Sequence, residues 1–170
     1  RATLSNIMNL SKPRDFTAII TEKEQYSTKV YLFTLALKHP KTILFSPGQF
    51  INIDVGKGVH RQYSIASSPH HPHHIDLLVD IAPGGPGSKY FSRVGVGAHL
   101  KFQGPMGKFL LASEMGNIVF LSAGTGMAPF KSMIDYLFEE QARNKDYNKR
   151  QVYLYQTFRH EHEVFWNEHF

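Results

Sequence analysis

Asn117-Ile118-Val119-Phe120-Leu121-Ser122-Ala123-Gly124-Thr125-Gly126-Met127-Ala128-Pro129 is where the chain changes character. Residues 117–122 form a continuous apolar run, the pattern of a strand buried in a parallel sheet. Gly124-Thr125-Gly126 follows as a tight turn. Pro129 then suits the first turn of a helix, where its missing N–H is harmless. From Pro129 to Arg143, the residues Phe130, Met133, Ile134, Leu137 and Phe138 recur at helical spacing and predict one apolar face. Gln151 to Tyr155 reads as the next strand. A strand–helix–strand unit of this kind begins a doubly wound α/β domain. Only about fifty-five residues belong to it, whereas a complete open α/β sheet takes ~100 or more. The chain is therefore expected to be truncated after Phe170.

Upstream of Glu114 the pattern is different. Phe16–Ile20, Val30–Leu37, Gln49–Val55, Gln62–Ala66, Ile75–Ile81 and His99–Gln103 are rich in β-branched and aromatic residues, and several alternate. Gly/Pro turns such as Ser46-Pro47-Gly48, Gly56-Lys57-Gly58 and Gly104-Pro105 separate them. This spacing predicts a closed antiparallel barrel. Ser88 is placed to cap a short helix that runs to Arg93. The domain reading is a tail or linker over 1–13, a barrel over 14–113 and an incomplete α/β unit over 114–170. No internal repeat is seen.

Bulk properties narrow the function. The chain has 170 residues, 42% of them hydrophobic, enough to bury a core. It has no Cys, which removes disulfides, thiolate iron–sulfur ligation and Cys-based zinc sites from this chain. No apolar run approaches the ~20 residues a membrane helix needs, and a cytoplasmic address, or the soluble part of a membrane-associated system, is expected. Arg1 is not an initiator Met, so a missing or processed N-terminus is expected. The net charge of +5 serves solubility and favours an acidic protein partner or nucleotide phosphates. Lys and Arg are dispersed, with no basic stripe interleaved with aromatics, so nucleic acid is not expected. His70, His71, His73 and His74 are metal-ligand types, but Pro72 interrupts them and no carboxylate or Cys partner has a matching spacing. They read as a solvated loop, with no metal expected. Asp135, Glu139 and Glu140 read as a solvated helix face.

Three segments carry chemistry. In Arg61-Gln62-Tyr63-Ser64 a cation, an aromatic face and a hydroxyl fall within four residues. On a strand, residues 61 and 63 share a face and 64 takes the other. Tyr63 can offer a flat surface to an isoalloxazine ring, Arg61 can pair with phosphate, and Ser64 can hydrogen-bond the flavin edge at N5. A barrel strand with a snorkelling Arg and an edge Tyr would carry the same residues. Gly84-Gly85-Pro86-Gly87-Ser88 lets backbone approach a ligand, and a helix start beyond it offers N–H groups to a pyrophosphate. It is equally compatible with a surface loop. Gly124-Thr125-Gly126 is not a full G-x-G-x-x-G, because position 129 is Pro, but it exposes donors as such turns do. An ordinary strand–helix turn is the plainer alternative.

The ordered set Pro47-Gly48-Gln49-Phe50, Arg61-Gln62-Tyr63-Ser64-Ile65-Ala66-Ser67, Gly87-Ser88, Gly104-Pro105-Met106-Gly107-Lys108-Phe109 and Ala123-Gly124-Thr125-Gly126-Met127-Ala128-Pro129 resembles the ferredoxin–NADP reductase superfamily over roughly residues 14–170. The resemblance implies an all-β six-stranded antiparallel Greek-key barrel that binds FAD, followed by the first part of an α/β doubly wound nucleotide-binding domain. It implies that Arg61 binds the FAD phosphate, Tyr63 packs on the flavin and Ser64 contacts N5. Tyr63 and Ser64 would be the residues at the chemistry. Val79 and Asp80 would border the flavin through their strand, and Gly87 and Ser88 would hold the pyrophosphate. Gly124, Thr125, Gly126 and Arg159 would receive NAD(P)H. Hydride would pass from NAD(P)H to FAD, and electrons would leave to an acceptor protein with an iron–sulfur or haem centre. The segment Arg159–Phe170, with Glu163, Phe165, Trp166 and Glu168, is similar to the flavin subunit of the sodium-translocating NADH:quinone reductase. Oxygenase reductases and flavohaemoglobin reductase halves are alternatives.

Thr157-Phe158-Arg159 stands where many members of the superfamily carry Gly-x-Arg. The family's later Cys-Gly segment and its C-terminal flavin-stacking aromatic have no counterpart here. Good flavin binding, poor NAD(P)H binding and slow turnover are the expectation. The rival readings are a flavin- or nucleotide-binding module that relays electrons or regulates without oxidising NAD(P)H, and a plain barrel scaffold.

Overall fold

The computed structural model describes residues 12–112, 116–144, 147 and 150–166. The first part is a six-stranded, wholly antiparallel sheet. Its strands are β1 (Arg14–Gln25), β2 (Val30–His39), β3 (Phe50–Asp54), β4 (His60–Ser64), β5 (His74–Asp80) and β6 (His99–Met106), in spatial order β4-β3-β6-β1-β2-β5. The last strand in sequence thus lies between β3 and β1, the long return of a Greek key. The sheet curls until its edges meet. Ile65, one residue past β4, bridges to Leu77 of β5, and Ala66 N donates to Asp76 O at 2.8 Å. Helix α1 (Pro86–Arg93) fills the β5–β6 connection.

Alternation decides which side chains fill the barrel. Phe16, Ala18 and Ile20 of β1, Phe33 and Leu35 of β2, Ile51 and Ile53 of β3, Ile75 and Leu77 of β5, and Leu100 and Phe102 of β6 form one buried cluster. Phe16 and Phe102 stack with centroids 5.0 Å apart. β1 runs five residues beyond the predicted Ile20, because Glu22–Gln25 pair with Thr34–Tyr31 of β2 although their side chains are polar. Register shifts at Thr17/Ala18 and Ile20/Glu22 bend the strand around the barrel.

The second part holds β7 (Ile118–Ala123), a 3₁₀ turn over Gly124–Met127, α2 (Ala128–Arg143) and β8 (Val152–Thr157). β7 and β8 are parallel. Phe120, Met127, Met133, Ile134, Phe165 and Trp166 join Val30, Ala66 and Leu78 from the outside of the barrel in a second core. The two parts are therefore packed together. Two expectations change here. The 117–122 run is not buried on both faces: Val119 and Leu121 are exposed, because among the described residues α2 covers one side of the pair. Phe138 is 53% exposed, and the α2 face that packs carries Lys131, Ser132 and Tyr136 as well as Met133, Ile134 and Leu137.

The histidine loop and the acidic end of α2 are not separately solvated, as the sequence suggested. They meet. Ser68 Oγ donates to Glu139 Oε2 at 2.5 Å, and His71 Nε2 lies 3.1 Å from Glu139 Oε1. His70 Nε2 is 2.7 Å from Glu140 Oε1, and its ring stacks on Tyr136 and contacts Arg143. Asp135 pairs with Lys131 at 2.6 Å. Deeper in the seam, Ser132 Oγ donates to Ser67 O at 2.7 Å. Gly48 marks its tightest point. It has φ +96°, and a Cβ there would lie 2.1 Å from Phe109 O and 2.4 Å from Met133 Cε.

Two outcomes follow from this seam. Gly48→Ala must accept both a left-handed backbone and a clash with a carbonyl, so a loss of about 2–4 kcal/mol is expected in urea unfolding. Burial pushes the Glu139 carboxyl up, but the Ser68 hydroxyl and the His71 and His70 imidazoles outweigh it and hold the group below its usual 4.5. A depressed carboxylate contributes stability above its unfolded pKa and loses it as pH falls through the folded value. The Tm advantage of the wild type over Glu139→Gln should therefore be present at neutral pH and shrink as pH drops from about 5 to 3; an advantage that persists unchanged at pH 3 would contradict this.

Candidate functional site

β4 presents Arg61 and Tyr63 on one face, as strand periodicity requires. Tyr63 is half-buried, and its ring meets Phe91 of α1 edge-on at 5.0 Å. Burial raises the phenol pKa, which the nearby Arg61 charge partly offsets, so the hydroxyl stays protonated and can donate. Arg61 is exposed and donates from Nη1 to His60 O at 2.8 Å, which lays the side chain along the strand.

The opposing wall is the start of α1. Asp80 ends β5 and accepts from Ala82 N at 2.8 Å, turning the chain into Pro83-Gly84-Gly85. Gly84 has φ +71°. Gly85 caps the helix without a side-chain hydrogen bond, and Pro86 opens its first turn. Ser88 is not the cap that its sequence position suggested. It lies inside the helix, buried, and its hydroxyl donates back to Gly85 O at 3.3 Å. The glycine turn and Pro86 set the cap three residues earlier, at Gly85. The Gly87 and Ser88 N–H groups belong to a first turn that has no carbonyl behind it to bond, and the helix dipole is positive there.

Gly87 brings the walls together. A Cβ on it would lie 2.3 Å from Tyr63 Oη and 3.3 Å from Arg61 Cγ. The stem of Arg61, the Tyr63 hydroxyl and the first turn of α1, with its two free backbone donors, thus meet at Gly87. This donor set fits a phosphate or pyrophosphate, and the residues present fit the phosphate end of a dinucleotide cofactor.

A second group lies farther along. Asp80, Gly124, Thr125 and Arg159 line a cleft of about 600 Å³, together with Lys29 and Glu163. Gly124 has φ +49°, and nothing lies within 4 Å of a Cβ built on Gly124 or Gly126, so the 3₁₀ turn is open for a ligand to approach. Lys29 Nζ bridges to Glu163 Oε1 at 2.5 Å and holds that carboxyl below its usual range. Phe158, at the altered turn, also lines this cleft. It packs edge-on against Phe165, 5.0 Å away, within the second core.

The candidate residues therefore fall into two neighbouring sets joined by the β5–α1 turn. Ser64 sits at the end of β4, half-buried and paired with Phe50. The Val79 side chain is in the barrel core, so that residue could meet a ligand through its backbone alone. Sequence reasoning missed Lys29. It follows the β1–β2 turn with no motif around it, and its partner is distant in sequence.

Comparison with known proteins agrees with this fold. The family model described as oxidoreductase FAD-binding domain matches residues 17–110, and that described as oxidoreductase NAD-binding domain matches residues 120–170. Protein RfbI of Salmonella typhimurium is 38% identical over 127 residues, covering 73% of this chain and 36% of that protein. The anthranilate 1,2-dioxygenase electron transfer component of Acinetobacter baylyi is 30% identical over 154 residues, 89% of this chain and 43% of its own length. NADH-cytochrome b5 reductase 1 of Aspergillus oryzae is 30% identical over 155 residues, covering 87% and 52%. This chain thus spans between about a third and a half of these relatives. Among solved structures, the Amycolatopsis cytochrome P450 reductase GcoB superposes with a TM-score of 0.80 at 28% identity, covering 93% of this chain and 47% of that one. Phthalate dioxygenase reductase shares the fold, with a TM-score of 0.78 at 21% identity, covering 91% and 47%. Since the FAD-domain model spans more than half of its length, on a barrel with this donor set, the chain belongs to the oxidoreductase FAD-binding domain family of ferredoxin reductase-like proteins.

Proposed function

We propose that this chain holds FAD against β4, β5 and the start of α1, receives NAD(P)H in the adjoining cleft, and serves as the reductase part of an electron-transfer system. The observation that supports this reading most is the meeting of Arg61, Tyr63 and the first turn of α1 at Gly87. Arg61 and the Gly87 and Ser88 N–H groups bind the pyrophosphate by charge-assisted hydrogen bonds. Tyr63, neutral and braced by Phe91, supplies a wall and a hydroxyl donor. Ser64, at the end of the strand, donates to the edge of the ring system. Gly124, Thr125 and Gly126 leave room for the nucleotide, and Arg159 offers its phosphates a cation. FAD, when bound, supplies the step that turns a hydride into single electrons.

Two of the relatives named above are an electron transfer component and a reductase, and a net charge of +5 favours an acidic acceptor protein. An iron–sulfur or haem protein is the acceptor this reading implies. Among the described residues no helix is long and apolar enough to cross a membrane.

Mixing the flavin-loaded chain rapidly with NADH or NADPH tests the catalytic reading. Bleaching of the flavin absorbance is expected; a bound flavin that neither nucleotide bleaches would leave a binding module in place of an enzyme. Arg61→Ala should weaken FAD binding by about 1.5–3 kcal/mol, the loss of one charge-assisted hydrogen bond. An unchanged Kd in that variant would remove the phosphate role. Ser64→Ala should retain FAD and slow its reduction by about tenfold or more, as loss of a positioned hydrogen-bond donor does. Unaltered reduction kinetics would take Ser64 out of the mechanism.

A further inference from the structure

We infer that Lys23, on β1, is a positioning residue for the cofactor cradle: it holds the C-terminal end of α1 so that the first turn of that helix keeps its place beside Tyr63 and Arg61. The inference rests on the FAD reading above. α1 is eight residues long, too short to be stable without support from its surroundings. Its C-terminal carbonyls point outward, at the negative end of the helix dipole. Lys23 Nζ donates to Val94 O at 2.9 Å and lies 3.5 Å from Phe91 O. A cation therefore caps this helix from a strand some seventy residues earlier in sequence.

The ammonium is also held in place from below. It stands over the Tyr31 ring at 5.1 Å and the Phe33 ring at 5.3 Å, both on the neighbouring strand β2. Phe33 packs on Phe91 at 4.8 Å, and Phe91 in turn supports Tyr63. One side chain thus ties the far end of α1 to the barrel wall and to the aromatic group that braces the near end. The flanking Glu22 and Glu24 are exposed and Lys23 is half-buried, so its setting differs from that of an ordinary surface lysine on a polar strand.

The test compares wild type, Lys23→Met and Lys23→Arg. Methionine keeps an unbranched apolar stem but cannot donate; arginine can. FAD and riboflavin, which lacks phosphate, are titrated against each protein by flavin fluorescence. Amide hydrogen exchange of the cofactor-free chain is followed over residues 87–94. Lys23→Met should weaken FAD binding roughly tenfold, the worth of one charge-assisted hydrogen bond. Riboflavin should change by less than about threefold, because the group that loses its seat is the phosphate. Exchange should quicken in α1 and not in β6, and Lys23→Arg should restore both readouts. An equal loss of FAD and riboflavin affinity would mean general destabilisation and overturn the proposal; so would unchanged FAD affinity, or unchanged exchange in α1. If the wild type takes up no FAD, the functional reading fails, and the exchange measurement still decides whether Lys23 anchors the helix.

Discussion

The close approach of α1 to β4 at Gly87 is the constraint from which the site follows. Any side chain at that position would collide with the Tyr63 hydroxyl. Without the approach, the helix start, Arg61 and Tyr63 would be separate surface features. With it, the Arg61 stem, the Tyr63 hydroxyl and the first turn of α1 meet at one corner of the barrel. The barrel topology makes the approach possible. β4 and β5 are the two edges of the hydrogen-bonded order, and the Ile65–Leu77 bridge joins them. The turn that leaves β5 therefore emerges next to β4.

The second unit is fixed to this barrel by several unlike contacts. Leu78, Val30 and Ala66 give an apolar seam, Ser132 closes a buried hydrogen bond to Ser67 O, and the His70–His71 loop pairs with Glu139 and Glu140. Lys29 and Glu163 clasp the edge of the cleft. Apolar contact supplies most of the adhesion. The polar contacts set the register, because a buried hydroxyl or carboxylate is stable only when its partner is in place. The 3₁₀ turn at Gly124 is thereby held facing the end of β5, where Asp80 and the nucleotide-type turn share one cleft.

Much of this was legible in the sequence, and the reasons differ from element to element. Barrel strands show themselves by alternation, and Arg61, Tyr63 and the 84–88 glycines by residue type and spacing. The parallel strand and helix after Asn117 were clear from the change of period. What stayed hidden depended on residues distant in the chain. Ser68 and Glu139 are 71 positions apart, and each looks like an ordinary solvated polar residue until the fold brings them together. Lys23 and Lys29 sit in polar stretches with no motif. A cap at Ser88 lies three residues too late, since Gly85 and Pro86 together start the helix without a hydroxyl cap. The run at 117–122 looks fully buried in sequence because composition alone cannot show which face of a strand is covered, and Val119 and Leu121 are exposed.

Phosphorus NMR of FAD added to the purified chain bears most directly on the central claim, that the α1–β4 corner seats a pyrophosphate. At one equivalent, both phosphorus resonances should broaden and shift, and replacing Gly87 with Val should return them to their free positions while the barrel stays folded. Resonances that remain at the free values with the wild-type chain, or a bound spectrum that Gly87→Val leaves untouched, would contradict the account.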